Sequence, residues 1–137
     1  MIYVYLAEGF EEVEAFAPLD ILRRAGVEVE TVSITDNQVV AGAHGIIVLA
    51  DRILPAIDFD DAEMIILPGG LPGSTNLDAC EDLRAGIQQL YDAGKPLAAI
   101  CAAPLVYGHL GLTNGKRCTC YPGFEDKLLG ADFQKKS

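Results

Sequence analysis

Hydrophobic and polar positions along the chain switch repeatedly between a strand period and a helix period. Ile2-Tyr3-Val4-Tyr5-Leu6 is a short β-rich apolar run, the pattern of a buried strand. From Glu11 to Ala25 the apolar residues Val13, Phe16, Ala17, Ile21 and Leu22 recur at helical spacing. Acidic residues crowd the start of that helix, Arg23 and Arg24 sit at its end, and Gly26 closes it. Pro18 lies inside the pattern and predicts a kink or a restart. Val27 to Ile34 alternates and reads as a second strand. After a turn at Asp36-Asn37, residues Gln38 to Ala41 and Gly45 to Ala50 predict a short hairpin or edge pair. Ala62 to Leu67 is a central strand that stops at Pro68-Gly69-Gly70, and Leu83 to Ala93 is an amphipathic helix stopped by Gly94. Leu97 to Ile100 is the next strand. Proline is tolerated in a first helical turn, so Pro104 predicts a helix from about Ala102 to Leu110. A last short strand, Cys118 to Tyr121, precedes a short helix from Phe124 to Leu129.

Strands alternating with helices predict an α/β fold: a three-layer sandwich with a mostly parallel sheet and helices on both faces. The 137 residues suit one domain, and half of them are hydrophobic, enough for a core without disulfides or metal. The net charge of −10 argues against nucleic acid or an anionic membrane as a partner. No segment is apolar for long enough to span a bilayer, and acidic residues from Glu8 onward do not fit a signal peptide. The expected location is therefore the cytoplasm, with Cys80, Cys101, Cys118 and Cys120 as free thiols. Cys118 and Cys120 share one face of a strand, an ordinary strand pattern, and no second Cys/His pair lies nearby to complete a metal site. The final GADFQKKS is polar and basic, so no closing strand and helix are expected over the sheet.

In open α/β sheets the working residues gather at the carboxyl ends of the strands. Three loops qualify: Glu8 to Glu14, Pro68-Gly69-Gly70, and the turn at Cys101. Cys101 follows a strand and precedes a helix, like the nucleophile of a hydrolase elbow. A helix N-terminus there would favour thiolate, predicting a depressed pKa, and the Ala102 N–H would face an oxyanion. The pattern fits equally well a small residue filling a tight turn. Gly69-Gly70 permits close backbone approach or makes a plain turn, and no phosphate-loop motif is present. Glu11, Glu12 and Glu14 are natural partners of the helix dipole. If one of them points toward Cys101, it would be buried and protonated. A cysteine–histidine hydrolase needs a base, and the two histidines are His44 and His109. His109 lies two helical turns past Cys101, too far along the helix. His44 lies on the hairpin and would serve only across a dimer interface.

Taken together, AEGFEEVEA (Ala7 to Ala15), PLDILRRAGVEV (Pro18 to Val29), ILPGGLPGSTNL (Ile66 to Leu77), AAICAAP (Ala98 to Pro104) and TCYPGFED (Thr119 to Asp126) resemble the ThiJ/PfpI family. That family lies within the class I glutamine amidotransferase-like fold. The resemblance covers essentially the whole chain, and points to the branch of the human parkinsonism-associated deglycase/chaperone and its bacterial relatives. It implies that Cys101 is the reactive, oxidation-sensitive cysteine, that Glu14 is the buried acid bonded to it, and that Gly70 and Ala102 supply N–H donors. Gly69, His44 and Tyr121 are accessory positions. His44 stands where that branch has an arginine near the partner subunit's site, and Tyr121 where it has a histidine. The implied activity is cofactor-independent: glyoxalase or deglycase chemistry on a small carbonyl substrate, carried out by a homodimer. The alternatives are a redox-sensing stress protein or chaperone and, more remotely, a role linked to thiazole monophosphate biosynthesis. Ala102 stands where the protease branch has a histidine, which argues against proteolysis. Family members also continue past this end with a strand, a turn and a helix, so the fold is expected to lack those elements.

Overall fold

Five strands line up in parallel because the chain repeatedly crosses from one face of a sheet to the other. The computed structural model describes residues 1–135. Its strands are β1 (Ile2–Leu6), β2 (Val29–Ser33), β3 (Val39–Ala41), β4 (Ile47–Leu49), β5 (Arg52–Ile53), β6 (Met64–Leu67), β7 (Leu97–Ala99), β8 (Arg117–Cys118) and β9 (Asp132–Phe133). The helices are α1 (Glu12–Arg24), α2 (Gly73–Ala79), α3 (Glu81–Asp92) and α4 (Pro104–His109). The central sheet has the order β5-β2-β1-β6-β7, parallel throughout. β1 is covered on both sides, which is why it reads as an unbroken apolar run. Tyr3 and Tyr5 face Leu77 of α2, Leu83 and Ile87 of α3 and Val106 of α4. Val4 and Leu6 face the opposite layer, with Phe10, Val40 and Ala15 and Leu19 of α1. The predicted α/β architecture, with a mostly parallel sheet and helices on both faces, is therefore present.

The hairpin is β3–β4, antiparallel, with Val39 opposite Leu49 and Ala41 opposite Ile47. Pro18 sits inside α1 without breaking it. It lacks an N–H, so the carbonyl of Glu14 loses its usual helical partner. The short helix α2 is absent from the sequence reading, because only Gly73, Ser74 and Leu77 of GSTNLDA are buried and they carry no apolar period. Helix α4 starts at Pro104, two residues later than predicted. Toward the end of the chain, β8 covers only Arg117–Cys118 and the predicted helix is a single 3-10 turn at Glu125–Lys127. β8 pairs in parallel with β9, a strand the sequence did not suggest because two residues cannot show a period. No described helix is long and apolar enough to cross a membrane.

Candidate active site

The carboxyl ends of β1, β6 and β7 converge on Cys101. Its backbone has φ 62°, and among the described residues it alone is a non-glycine at positive φ. That left-handed conformation costs about 1–3 kcal/mol and persists only where the surroundings impose it. Here β7 ends at Ala99, the Ala103 N–H donates to the Ile100 carbonyl at 3.1 Å, and Pro104 opens α4. The result is a tight strand–cysteine–helix elbow that aims a half-buried thiol at the sheet end.

Glu14 reaches this thiol from the first turn of α1. Glu11 caps that helix, its Oε2 accepting the Glu14 N–H at 3.0 Å. The Glu14 Oε2 accepts the Gly69 N–H at 2.9 Å, and the same carboxylate lies beside Cys101, the two side chains flanking the space next to Gly69. Gly69 is required by this approach. A Cβ there would run into Glu14 Oε2 and come within 2.7 Å of Cys101 Cβ. Gly70, at φ 92°, packs so closely on the first loop that a Cβ would strike the Glu11 amide. The two loops are tied by the Glu11 N–H donating to the Gly69 carbonyl at 2.9 Å. Among the described residues the N–H groups of Gly70 and Ala102 donate to no protein acceptor.

The depressed cysteine pKa expected from the elbow is not what the site produces. Burial pushes the Cys101 thiol up, the Glu14 carboxylate pushes it further by charge and hydrogen bond, and Glu11 adds to this. The Ala102 N–H pulls in the other direction without prevailing. The expectation failed because α4 is short and starts beyond the elbow, while carboxylates face the sulfur. Glu14 is also half-buried rather than buried. One side of it opens on an apolar groove of about 640 Å³ between α1 and the β6–β7 strands, with Val13, Ile21 and Ile100 on its walls.

The buried acid of the first loop is instead Glu12, at 5% exposure. Its carboxylate accepts the His44 N–H at 2.9 Å and the Ile46 N–H at 3.3 Å, and lies 3.0 Å from His44 Nδ1. Burial pushes Glu12 up, but the hydrogen bonds from His44 and Ile46 outweigh it and hold the carboxyl below the usual range. The hydrogen bond and charge of Glu12, with help from Glu11, push His44 up. His44 therefore engages Glu12 and, at 3.4 Å, Glu11, and the structure does not bring it to Cys101. Glu11, Glu12 and His44 place ligand atoms within 4.8 Å of one another, a set able to take a cation, although here they satisfy each other. Sequence spacing concealed this cluster, since the hairpin returns His44 to α1 only in three dimensions. His109 pairs with Asp78 at 2.7 Å, beside Arg84, and has no part in the site. Tyr121 does reach it. Its N–H donates to the Cys101 carbonyl at 2.7 Å, and its side chain is exposed.

The chain matches the DJ-1/PfpI family over residues 1–136. It is 43% identical over 129 residues to Protein DJ-1 homolog B of Arabidopsis thaliana, an alignment that takes in 93% of this chain and 29% of the plant protein. A deglycase of Pyrococcus abyssi is 31% identical over 131 residues, covering 95% of this chain and 77% of the archaeal one. The solved structure of oxidized Toxoplasma gondii DJ-1 superposes with a TM-score of 0.86 at 37% identity, over 92% of this chain and 69% of that one. This chain thus spans less than a third of the length of the plant relative.

Proposed function

The chain belongs to the DJ-1/PfpI family, and on that premise we propose that it is a cysteine-dependent enzyme acting on small reactive carbonyls, of the glyoxalase or deglycase kind. The observation that carries this reading is the elbow itself. A strained Cys101 presents its thiol to the Glu14 carboxylate, beside the N–H groups of Gly70 and Ala102. Burial and the Glu14 carboxylate push the thiol up, so the addition step has a sulfur proton to move. As the sulfur adds to an aldehyde carbon, that proton passes to Glu14, and the carbonyl oxygen becomes an alkoxide. The two N–H groups stabilise the alkoxide, and Glu14 returns the proton to give a hemithioacetal. With methylglyoxal, Glu14 would next carry a proton from the hemithioacetal carbon to the neighbouring carbonyl carbon, while the hydroxyl proton passes to the former ketone oxygen. The thioester left behind hydrolyses to lactate and frees the thiol. The Pyrococcus abyssi relative is named a deglycase, which agrees with carbonyl chemistry at this thiol. Incubation with methylglyoxal, followed by lactate measurement beside Cys101→Ser, is the test. Lactate well above the variant is expected, and none above it overturns the reading.

A second reading, a redox-sensing or chaperone role, is favoured by the half-buried thiol at the open end of the sheet and by the oxidized state named for the Toxoplasma relative. Under limiting peroxide Cys101 should be the first of the four cysteines to lose its free thiol. Equal loss from all four counts against this role.

A further inference from the structure

The C-terminal part of the chain carries a second thiol to the elbow. The Tyr121 N–H donates to the Cys101 carbonyl at 2.7 Å, and the residue preceding Tyr121 is Cys120. Neither peptide group in that hydrogen bond is cis. A bond this short sets the backbones of Cys101 and Cys120 side by side, on neighbouring segments. Disulfide-linked cysteines span about 4.4–6.8 Å between Cα atoms. The segment is held in place independently of the elbow. The Gln134 N–H donates to the Cys118 carbonyl at 2.7 Å, and the Asp132 N–H to the Lys116 carbonyl at 2.7 Å. Both cysteines are free and half-buried. Cys80, by contrast, packs against the core on the α2–α3 side.

We propose that Cys120 is the resolving thiol of Cys101, so that oxidation of the elbow cysteine by a hydroperoxide ends in a Cys101–Cys120 disulfide. The proposal rests on reading Cys101 as the reactive thiol. In the first step the Cys101 sulfur attacks the distal peroxide oxygen. An S–O bond forms and the O–O bond breaks. The sulfur loses two electrons to the peroxide, and water or an alcohol departs, leaving a sulfenic acid. In the second step the Cys120 sulfur attacks the sulfenic sulfur. The S–S bond forms, the S–O bond breaks, and the departing hydroxide takes the Cys120 proton and leaves as water. Two thiols and one hydroperoxide thus become one disulfide and two molecules of water (or one water and one alcohol). The bond withdraws the nucleophile from Glu14, stops carbonyl chemistry, spares the sulfur from irreversible oxidation, and is reopened by a thiol reductant.

The test is treatment of the whole chain with limiting hydrogen peroxide, blocking of remaining thiols, and intact mass with non-reducing peptide mapping. The expected result is a loss of two hydrogens and a linked peptide pair containing Cys101 and Cys120, abolished by dithiothreitol. The link is lost in Cys120→Ser, where Cys101 gains oxygen instead, and is kept in Cys118→Ser. A wild-type chain that gains two oxygens on Cys101 with no such link, or that links Cys101 to another cysteine, overturns the proposal and leaves Cys101 reactive. Peroxide that spares Cys101 while oxidising the others overturns the reactive-thiol reading as well. The wild-type peptide map decides the matter even if a variant folds poorly.

Discussion

At Cys101 the backbone and the side chain answer to different neighbours. The backbone is forced into the left-handed region by the turn between β7 and α4, while the thiol is governed by Glu14. A carboxylate beside a thiol disfavours the thiolate, so its removal should lower the thiol pKa. Glu14→Gln is therefore expected to move the pH midpoint of Cys101 alkylation by iodoacetamide downward. The same variant should lose about 10²–10³-fold in lactate formation, because the proton carrier is gone. A variant whose midpoint stays put, or whose lactate rate survives, removes Glu14 from the role of proton carrier. The candidate cysteine was legible from its place between an apolar strand and a helix. The direction of its pKa was not, because only the fold sets how far burial and the neighbouring acids outweigh the Ala102 N–H.

The β3–β4 hairpin is fastened to α1 by one side chain. Glu12 takes the His44 and Ile46 amides and the His44 ring, and Gly42 leaves the space, since a Cβ there would collide with the Glu12 carboxylate. The groups that face the His44 ring are Glu11 and Glu12, both from the start of α1. Glu12 has its pKa lowered by folding, so its contribution is present above the ordinary value of 4.5 and is lost as pH falls through its folded value. His44 has its pKa raised, so its contribution is complete below the ordinary value of 6.5 and is lost as pH rises through its folded value. The fastening should be tightest between those two ordinary values. Hydrogen-exchange protection of the His44 and Ile46 amides, corrected for intrinsic rates, should fall on both sides of that window. In His44→Gln the alkaline decline should vanish, and if it persists, His44 is not its source. Strand and helix periods revealed the hairpin and α1 separately. Their junction was hidden because Glu12 and His44 lie far apart in the chain.

Across the whole molecule, α1 and the β6–β7 strands leave an apolar groove open to solvent, with Val13 70%, Ile21 65% and Ile100 54% exposed. Apolar patches of this kind on a folded chain mark sites of association. We propose that the chain self-associates as a dimer through surface that includes the α1 face. Sedimentation velocity over a range of concentrations should then show a dimer, and Ile21→Glu should shift the equilibrium toward monomer by about tenfold or more, the effect of burying roughly 1.4 kcal/mol less favourably. A single monomeric species at every concentration would remove the proposal.

The alternation of apolar runs and amphipathic stretches by itself determined the parallel sheet with helices on both faces, because burial on both sides of β1 and on one side of α3 leaves a local pattern. It also marked Cys101, Gly69 and Gly70 as strand-end residues. The family resemblance names Glu14 as the acid beside the thiol; only the tertiary structure decided that Glu12 and His44 clamp the hairpin and that Tyr121 brings Cys120 back to the elbow. Each of these is a contact between segments distant in the chain. Local periodicity records which way a side chain faces, but not which side chain it will meet.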